Sequence, residues 1–126
     1  MEITYLDNNA TTRMAPEVLD EMRPYLWELY GNPSSMYTFG GQLQRRLEEA
    51  RAKVAALIGA EPEEIIFTSC GTESDNLALH SAVEINPRKR HVITTRVEHP
   101  AVLNYAKYLA RKGYRVTFLQ VDRDGN

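Results

Sequence analysis

The sequence predicts an α/β fold built on a parallel sheet, and three observations predict it. Short β-rich runs alternate with helical ones from residue 62 onward, two amphipathic helical runs precede them, and the composition is that of a globular unit. The alternating part reads as strand 64–68, helix 72–83, strand 91–95, helix 100–111 and strand 115–119. Such βαβαβ connections make the strands parallel with right-handed crossovers, and helices must then cover both faces of the sheet.

In chain order, Ile3-Thr4-Tyr5-Leu6 reads as a short strand and Asp7-Asn8-Asn9 as the loop that ends it, because Asp and Asn side chains bond to nearby backbone. Pro16 suits a first helical position, Glu17 and Asp20 complement the positive helix end, and Val18, Leu19, Met22, Leu26 and Leu29 recur at helical spacing. One amphipathic helix over 16–30 follows. After the turn Gly31-Asn32-Pro33-Ser34-Ser35, residues Leu43, Leu47, Ala50, Val54, Leu57 and Ile58 mark one face of a helix over 37–58 that stops at Gly59. Its other face, with Arg45, Arg46, Glu48, Glu49 and Lys53, reads as solvated. These two helices are expected to cover part of the sheet. Three strands make a thin sheet, and the chain closes on the turn residues Asp122-Arg123-Asp124-Gly125-Asn126, so the sequence reads as an incomplete fold.

The composition removes several function classes. With 126 residues, 43% of them hydrophobic, disorder is excluded as the bulk state. Lys and Arg number 15 against 17 Asp and Glu, with no block of like charges, so no electrostatic footprint for nucleic acid or an anionic membrane is present. Cys70 is the single cysteine, which excludes an intramolecular disulfide or a multi-cysteine zinc site and fits a reducing compartment; no metal site is expected. No apolar run approaches the ~18 residues of a membrane span. Met1-Glu2-Ile3-Thr4 lacks the basic-then-apolar layout of a secretory signal, and a cytoplasmic location is expected.

In an open parallel sheet, ligands bind beyond the carboxyl ends of the strands, which directs attention to the residues after 68 and after 95. The first group is Thr68-Ser69-Cys70-Gly71-Thr72-Glu73-Ser74-Asp75-Asn76, a small-residue turn opening a helix. Free amides and the positive helix end would face whatever lies above the sheet, and Gly71 would let an anion approach the backbone closely. A phosphate or carboxylate site is one reading; an ordinary N-terminal cap, with Thr72 and Asp75 as a capping box, is the other. Glu73 and Asp75 must point sideways if an anion binds. The second group is Arg96-Val97-Glu98-His99-Pro100, in which Pro100 starts a helix and His99 is left on the same rim as Gly71. That imidazole can stack on a planar ligand or move a proton, or it can serve as a capping or partly buried structural residue. His80 and His91 have no such placement and read as structural. Cys70 stands where a helix N-terminus lowers a thiol pKa, yet no base stands at a readable spacing, and a small residue packed in a tight turn explains it. Asp7-Asn8-Asn9-Ala10-Thr11-Thr12 presents amides either to a substrate or simply to a turn.

Four motifs occur in order: Tyr5-Leu6-Asp7-Asn8-Asn9-Ala10-Thr11-Thr12, Gly31-Asn32-Pro33-Ser34-Ser35, Phe67-Thr68-Ser69-Cys70-Gly71-Thr72-Glu73-Ser74-Asp75-Asn76, and Glu98-His99. Together they closely resemble the N-terminal part of cysteine desulfurases of the NifS/IscS type, which are pyridoxal-phosphate enzymes of class V with the aspartate-aminotransferase fold, fold type I. The resemblance covers essentially the whole chain and implies an N-terminal arm of the small domain over 1–15 and the first half of the cofactor-binding large domain over 16–126. It implies that Gly71 and Thr72 hold the phosphate of pyridoxal 5′-phosphate through backbone amides and the Thr72 hydroxyl. It implies further that His99 stacks on the pyridine ring and takes part in proton movements as a catalytic residue, and that Asn8, Ala10 and Thr11 lie near the substrate. Tyr37 stands where the family often has histidine, and Cys70 where it often has glycine.

The activity implied is conversion of L-cysteine to L-alanine, with sulfur carried as an enzyme persulfide to an iron–sulfur scaffold protein or another acceptor, by a homodimer. Family members are roughly three times longer, as befits a two-domain enzyme. Their Schiff-base lysine, their pyridine-pairing aspartate and their sulfur-accepting cysteine match nothing here, since Lys89, Lys107, Lys112 and Cys70 stand in the wrong contexts. The 126-residue chain is therefore expected to be inactive alone. A selenocysteine lyase or an aminotransferase of the same class, or a noncatalytic interaction fragment, are the rival readings.

Overall fold

A computed structural model describes residues 3–125; Met1, Glu2 and Asn126 lie outside the described residues, and with them the start of the signal-layout reading and the last residue of the closing turn. The chain forms two compact units, one up to Ile65 and one from Ile66 onward.

The first unit is helical. Residues 3–6 are exposed and unpaired to any strand, and Asp7–Ala10 form a turn closed by Ala10 N donating to Asp7 O at 3.1 Å. The expected strand at 3–6 is therefore absent, because an extended run becomes a strand only where a neighbour completes its ladder. The single helix expected over 16–30 is two short ones, α1 (Pro16–Met22) and α2 (Pro24–Trp27). Pro24 has no amide to donate and its ring crowds the carbonyl four residues back, so α1 closes at Arg23, whose N–H reaches Leu19 O at 3.0 Å. Pro24 then serves as the first residue of α2.

Helix α3 (Thr38–Ile58) matches expectation and ends on Gly59 in the left-handed conformation, φ +69°. Gly40 lies under the preceding turn. A Cβ there would sit 2.6 Å from Ser35 O and 2.7 Å from Asn32 O, so only glycine allows this approach. Of the predicted apolar face only Leu43 is buried, while Leu57 and Ile58 are exposed; Ala55, which lies outside that set, is buried as well. The opposite face is solvated as expected, with Arg46 3.2 Å from Glu49. A single 3-10 turn, Pro62–Glu64, follows, and the Arg51 guanidinium donates to the Ile65 carbonyl behind it.

The second unit is a βαβ core with one helix ahead of it. Helix α4 (Gly71–Glu84), strand β1 (His91–Thr95), helix α5 (Pro100–Arg111) and strand β2 (Arg115–Leu119) succeed one another. The strands are parallel and pair His91 with Arg115 through Thr95 with Leu119. This is the predicted α/β class in partial form, with two paired strands instead of three. Residues 65–68 run without a ladder, so the strand expected over 64–68 is not formed; Glu64 belongs to the 3-10 turn, and β1 and β2 pair with each other alone among the described residues. Ala101, Ala106 and Leu109 are buried where α5 packs on α4 and the sheet. Gly113, at φ +84°, makes the turn from α5 into β2.

Candidate functional site

The candidate site in the second unit consists of two helix starts. Cys70 is extended, φ −167° and ψ 170°, and α4 begins at Gly71. That places Thr72 second and Glu73 third in the helix, two residues out of step with the Thr72–Asp75 capping box, which does not form. Instead the Glu73 carboxylate turns back and accepts from Ser69 N and Ser69 Oγ, both at 2.6 Å. These bonds hold the Glu73 carboxyl below its ordinary value, the Ser69 hydroxyl contributing most and the Ser69 amide next. No side-chain cap hydrogen bond closes the start of α4, although the Cys70 sulfur lies toward the Glu73 and Thr72 amides. Both residues are exposed, and a Cβ added at Gly71 would meet nothing within 4 Å.

Cys70 is exposed and free, not packed in the turn. Its thiol is drawn below its ordinary value chiefly by the Glu73 backbone amide, then by the Ser69 hydroxyl and to a lesser extent by the Thr72 amide, against smaller opposing effects of desolvation and the Glu73 charge. The positive end of α4 thus already favours a negative atom at this position.

His99 caps α5. Its Nδ1 accepts from Ala101 N at 3.2 Å, and Pro100 takes the first helical position. The capping reading of this residue is therefore realised, and it fixes the chemistry of the ring, because a nitrogen that accepts leaves the proton of the neutral imidazole on Nε2. His99 is exposed and follows the carboxyl end of β1. The cap orients the ring without covering it.

Asn76 connects the two starts, and sequence reasoning assigned it no role. Its Nδ2 donates 2.8 Å to Thr72 O and, at a longer 3.5 Å, to Ala101 O. Gly71, Thr72 and His99 thus belong to one unit, on turns bridged by one amide. Asn8, Ala10 and Thr11 are exposed residues of the first unit, Asn8 and Ala10 within the turn that follows Asp7. His80 and His91 are exposed, with His80 Nδ1 3.0 Å from Tyr105 Oη and His91 Nε2 2.8 Å from Thr117 Oγ1. An open groove of about 650 Å³ between α4 and α5 is lined by Glu73, His80, Tyr105 and Tyr108 but by none of Gly71, Thr72 or His99. Among the described residues no cluster of His, Cys, Asp or Glu is arranged to hold a metal ion, and no helix is long and apolar enough to cross a membrane.

The arrangement sets an exposed helix start without a side-chain cap, bearing Gly71 and Thr72, beside a turn whose imidazole is oriented by its own helix. Residues 4–126 match the family described as aminotransferase class-V. Over 125 residues the chain is 58% identical to a cysteine desulfurase of Trichormus azollae, covering 99% of this chain and 31% of that protein. Among solved structures, a NifS-like protein superposes with a TM-score of 0.84 at 49% identity, covering 92% of this chain and 32% of that one. SspA in complex with cysteine superposes with a TM-score of 0.86 at 34% identity, covering 95% and 35%. The chain spans about a third of the length of the curated relatives it matches.

Proposed function

Because the chain belongs to the aminotransferase class-V family, we propose that it is the N-terminal part of a pyridoxal-phosphate-dependent cysteine desulfurase. Similarity to a cysteine desulfurase across nearly all of the chain supports this reading, as does the solved complex of SspA with cysteine. The observation that carries it is the uncapped first turn of α4 tied by Asn76 to the His99-capped turn of α5.

The residues present fit pyridoxal 5′-phosphate. The Gly71 and Thr72 amides and the Thr72 hydroxyl are donors on exposed residues at the start of α4, which suits a phosphate dianion at a helix N-terminus. His99 presents an oriented aromatic ring with its neutral-form proton at Nε2, which suits contact with a flat heterocycle and transfer of a proton from that atom. When bound, the cofactor supplies an electron sink for cleavage of bonds in an amino-acid substrate. Glu73 acts indirectly: with its carboxylate held by Ser69, it leaves the first-turn amides to the anion.

In the same proposal, Asn8, Ala10 and Thr11 lie on the substrate side, residues 1–15 are an arm of the small domain, and residues 16–126 open the large one. The complete enzyme takes L-cysteine, releases L-alanine and passes the sulfur through a persulfide to an iron–sulfur scaffold protein or another sulfur acceptor, as a homodimer in the cytoplasm.

Thermal unfolding with and without ligand tests the cofactor assignment. A ligand at one hundred times its Kd stabilises the folded chain by about 2.7 kcal/mol. Inorganic phosphate and pyridoxal 5′-phosphate should each raise the melting temperature, and Thr72→Ala should remove most of that rise. An unchanged midpoint with both ligands would overturn the assignment.

A further inference from the structure

Asn76 stands one turn into α4, half-buried, and a side-chain amide has two protons to give. One goes to Thr72 O, four residues back on its own helix, a bond that any asparagine in that position can make. The same nitrogen lies 3.5 Å from Ala101 O, twenty-five positions away on α5, which its second proton can reach. Ala101 is itself buried, and its amide is the group that holds His99 Nδ1. Thr72 and His99 are therefore linked by hydrogen bonds from Asn76 to Thr72 O and Ala101 O and, across the backbone of Ala101, from Ala101 N to His99 Nδ1.

We propose that Asn76 is a positioning residue for the cofactor: its amide fixes the separation between the turn bearing Gly71 and Thr72 and the turn bearing His99. This rests on the cofactor reading given above. The phosphate and ring of pyridoxal phosphate are joined by a short covalent link, so the protein must present both contacts at one set spacing. A frame that is set before binding spares the ligand the ordering of two independent turns. Loosening the frame leaves each contact possible alone and weakens the two made together.

The test compares two probes on the full chain: inorganic phosphate, which needs only the α4 turn, and pyridoxine 5′-phosphate, which adds the ring but has no aldehyde to react with lysines. The quantity read is the ratio of their dissociation constants within each variant. Partial unfolding raises both constants by the same factor and cancels in the ratio, so a destabilised variant still reports. Asn76→Ala should leave phosphate affinity within about two-fold and cut the preference for pyridoxine phosphate by about five-fold, a typical size for coupled neighbours. In a His99→Ala background the same substitution should change the ratio no further.

Asn76→Asp separates positioning from packing. It keeps the side-chain shape but sets a carboxylate against two carbonyl oxygens, so it should lower the ratio more than Asn76→Ala, whereas a mere space-filling role predicts the reverse. Asn76→Ser, which retains one donor, serves if alanine prevents folding, and should fall between the wild type and Asn76→Asp. A wild-type preference for pyridoxine phosphate that survives Asn76→Ala and Asn76→Asp intact would overturn the positioning role while leaving the cofactor reading in place. A wild type that binds phosphate with no preference for the ring-bearing probe would overturn the cofactor reading, and the positioning role with it.

Discussion

Replacing Gly71 with alanine should move stability and binding in opposite directions. The added Cβ meets nothing within 4 Å, and Gly71 does not occupy the left-handed region, so the fold has no steric objection. Alanine narrows the unfolded ensemble and favours helix, which stabilises by about 0.5 kcal/mol at a compatible site. For a chain of this size that is a rise of roughly 2 °C in the unliganded melting temperature. The same methyl adds bulk at the first residue of α4, beside the amides where the anion is proposed to sit. Displacing the phosphate from one amide forfeits a hydrogen bond to a charged group, about 1.5–3 kcal/mol, or roughly 10- to 100-fold in Kd. At a ligand concentration one hundred times the wild-type Kd, a ten-fold loss reduces the ligand stabilisation from about 2.7 to about 1.4 kcal/mol. Gly41→Ala on α3 is the control, since that position is also open, and it should stabilise without touching the ligand shift. Differential scanning fluorimetry with and without phosphate reads both quantities. A Gly71→Ala chain that keeps the full ligand-induced shift would refute the reasoning, as would one that melts lower without ligand for lack of room.

Three further outcomes are expected. Gly40→Ala drives a Cβ against the Ser35 and Asn32 carbonyl oxygens, which belong to backbone and cannot swing aside, so urea unfolding should show a loss of about 1–3 kcal/mol. Glu73 has a carboxyl lowered by Ser69, so the stability it lends is fully present above its unfolded value of 4.5 and is lost as pH falls through the lower folded value; the difference in urea midpoint between wild type and Glu73→Gln should be flat near neutrality and shrink in acid. The 126-residue chain supplied with pyridoxal phosphate and cysteine should release no alanine or sulfide, as measured by amino-acid analysis and sulfide assay.

The parts of the fold legible in sequence are those whose signals are local. Pro100 and Gly113 bracket α5, and β1 and β2 run where the β-rich residues place them. Residues 64–68 carry the same kind of residues, yet strand formation depends on a neighbour's hydrogen bonds, which lie outside any local pattern. The break at Pro24 was readable from the missing amide alone, but the apolar spacing through Leu26 and Leu29 outweighs it in a periodicity reading.

At the site, the residues of the α4 turn and His99 are legible because both stand where a strand-like run gives way to a helix. The details of capping are not: Thr72 and Asp75 have the right spacing for a box, but Ser69 and Glu73 compete for the same helix end and prevail. His99 illustrates that a capping role and a ligand-facing role are compatible, since Nδ1 serves the helix and the ring remains exposed. Asn76 carries no local signal, because its informative contact crosses to Ala101.

Amide and imidazole ¹H–¹⁵N spectra of the chain, recorded through a titration with pyridoxine 5′-phosphate, address the site directly. The Gly71 and Thr72 amides and the His99 ring nitrogens should shift together along one binding curve, and inorganic phosphate should move the two amides alone. Shifts centred instead on the cations Arg96 and Lys107, which line a separate pocket with Leu103 and Phe118, would contradict the assignment of the phosphate to α4.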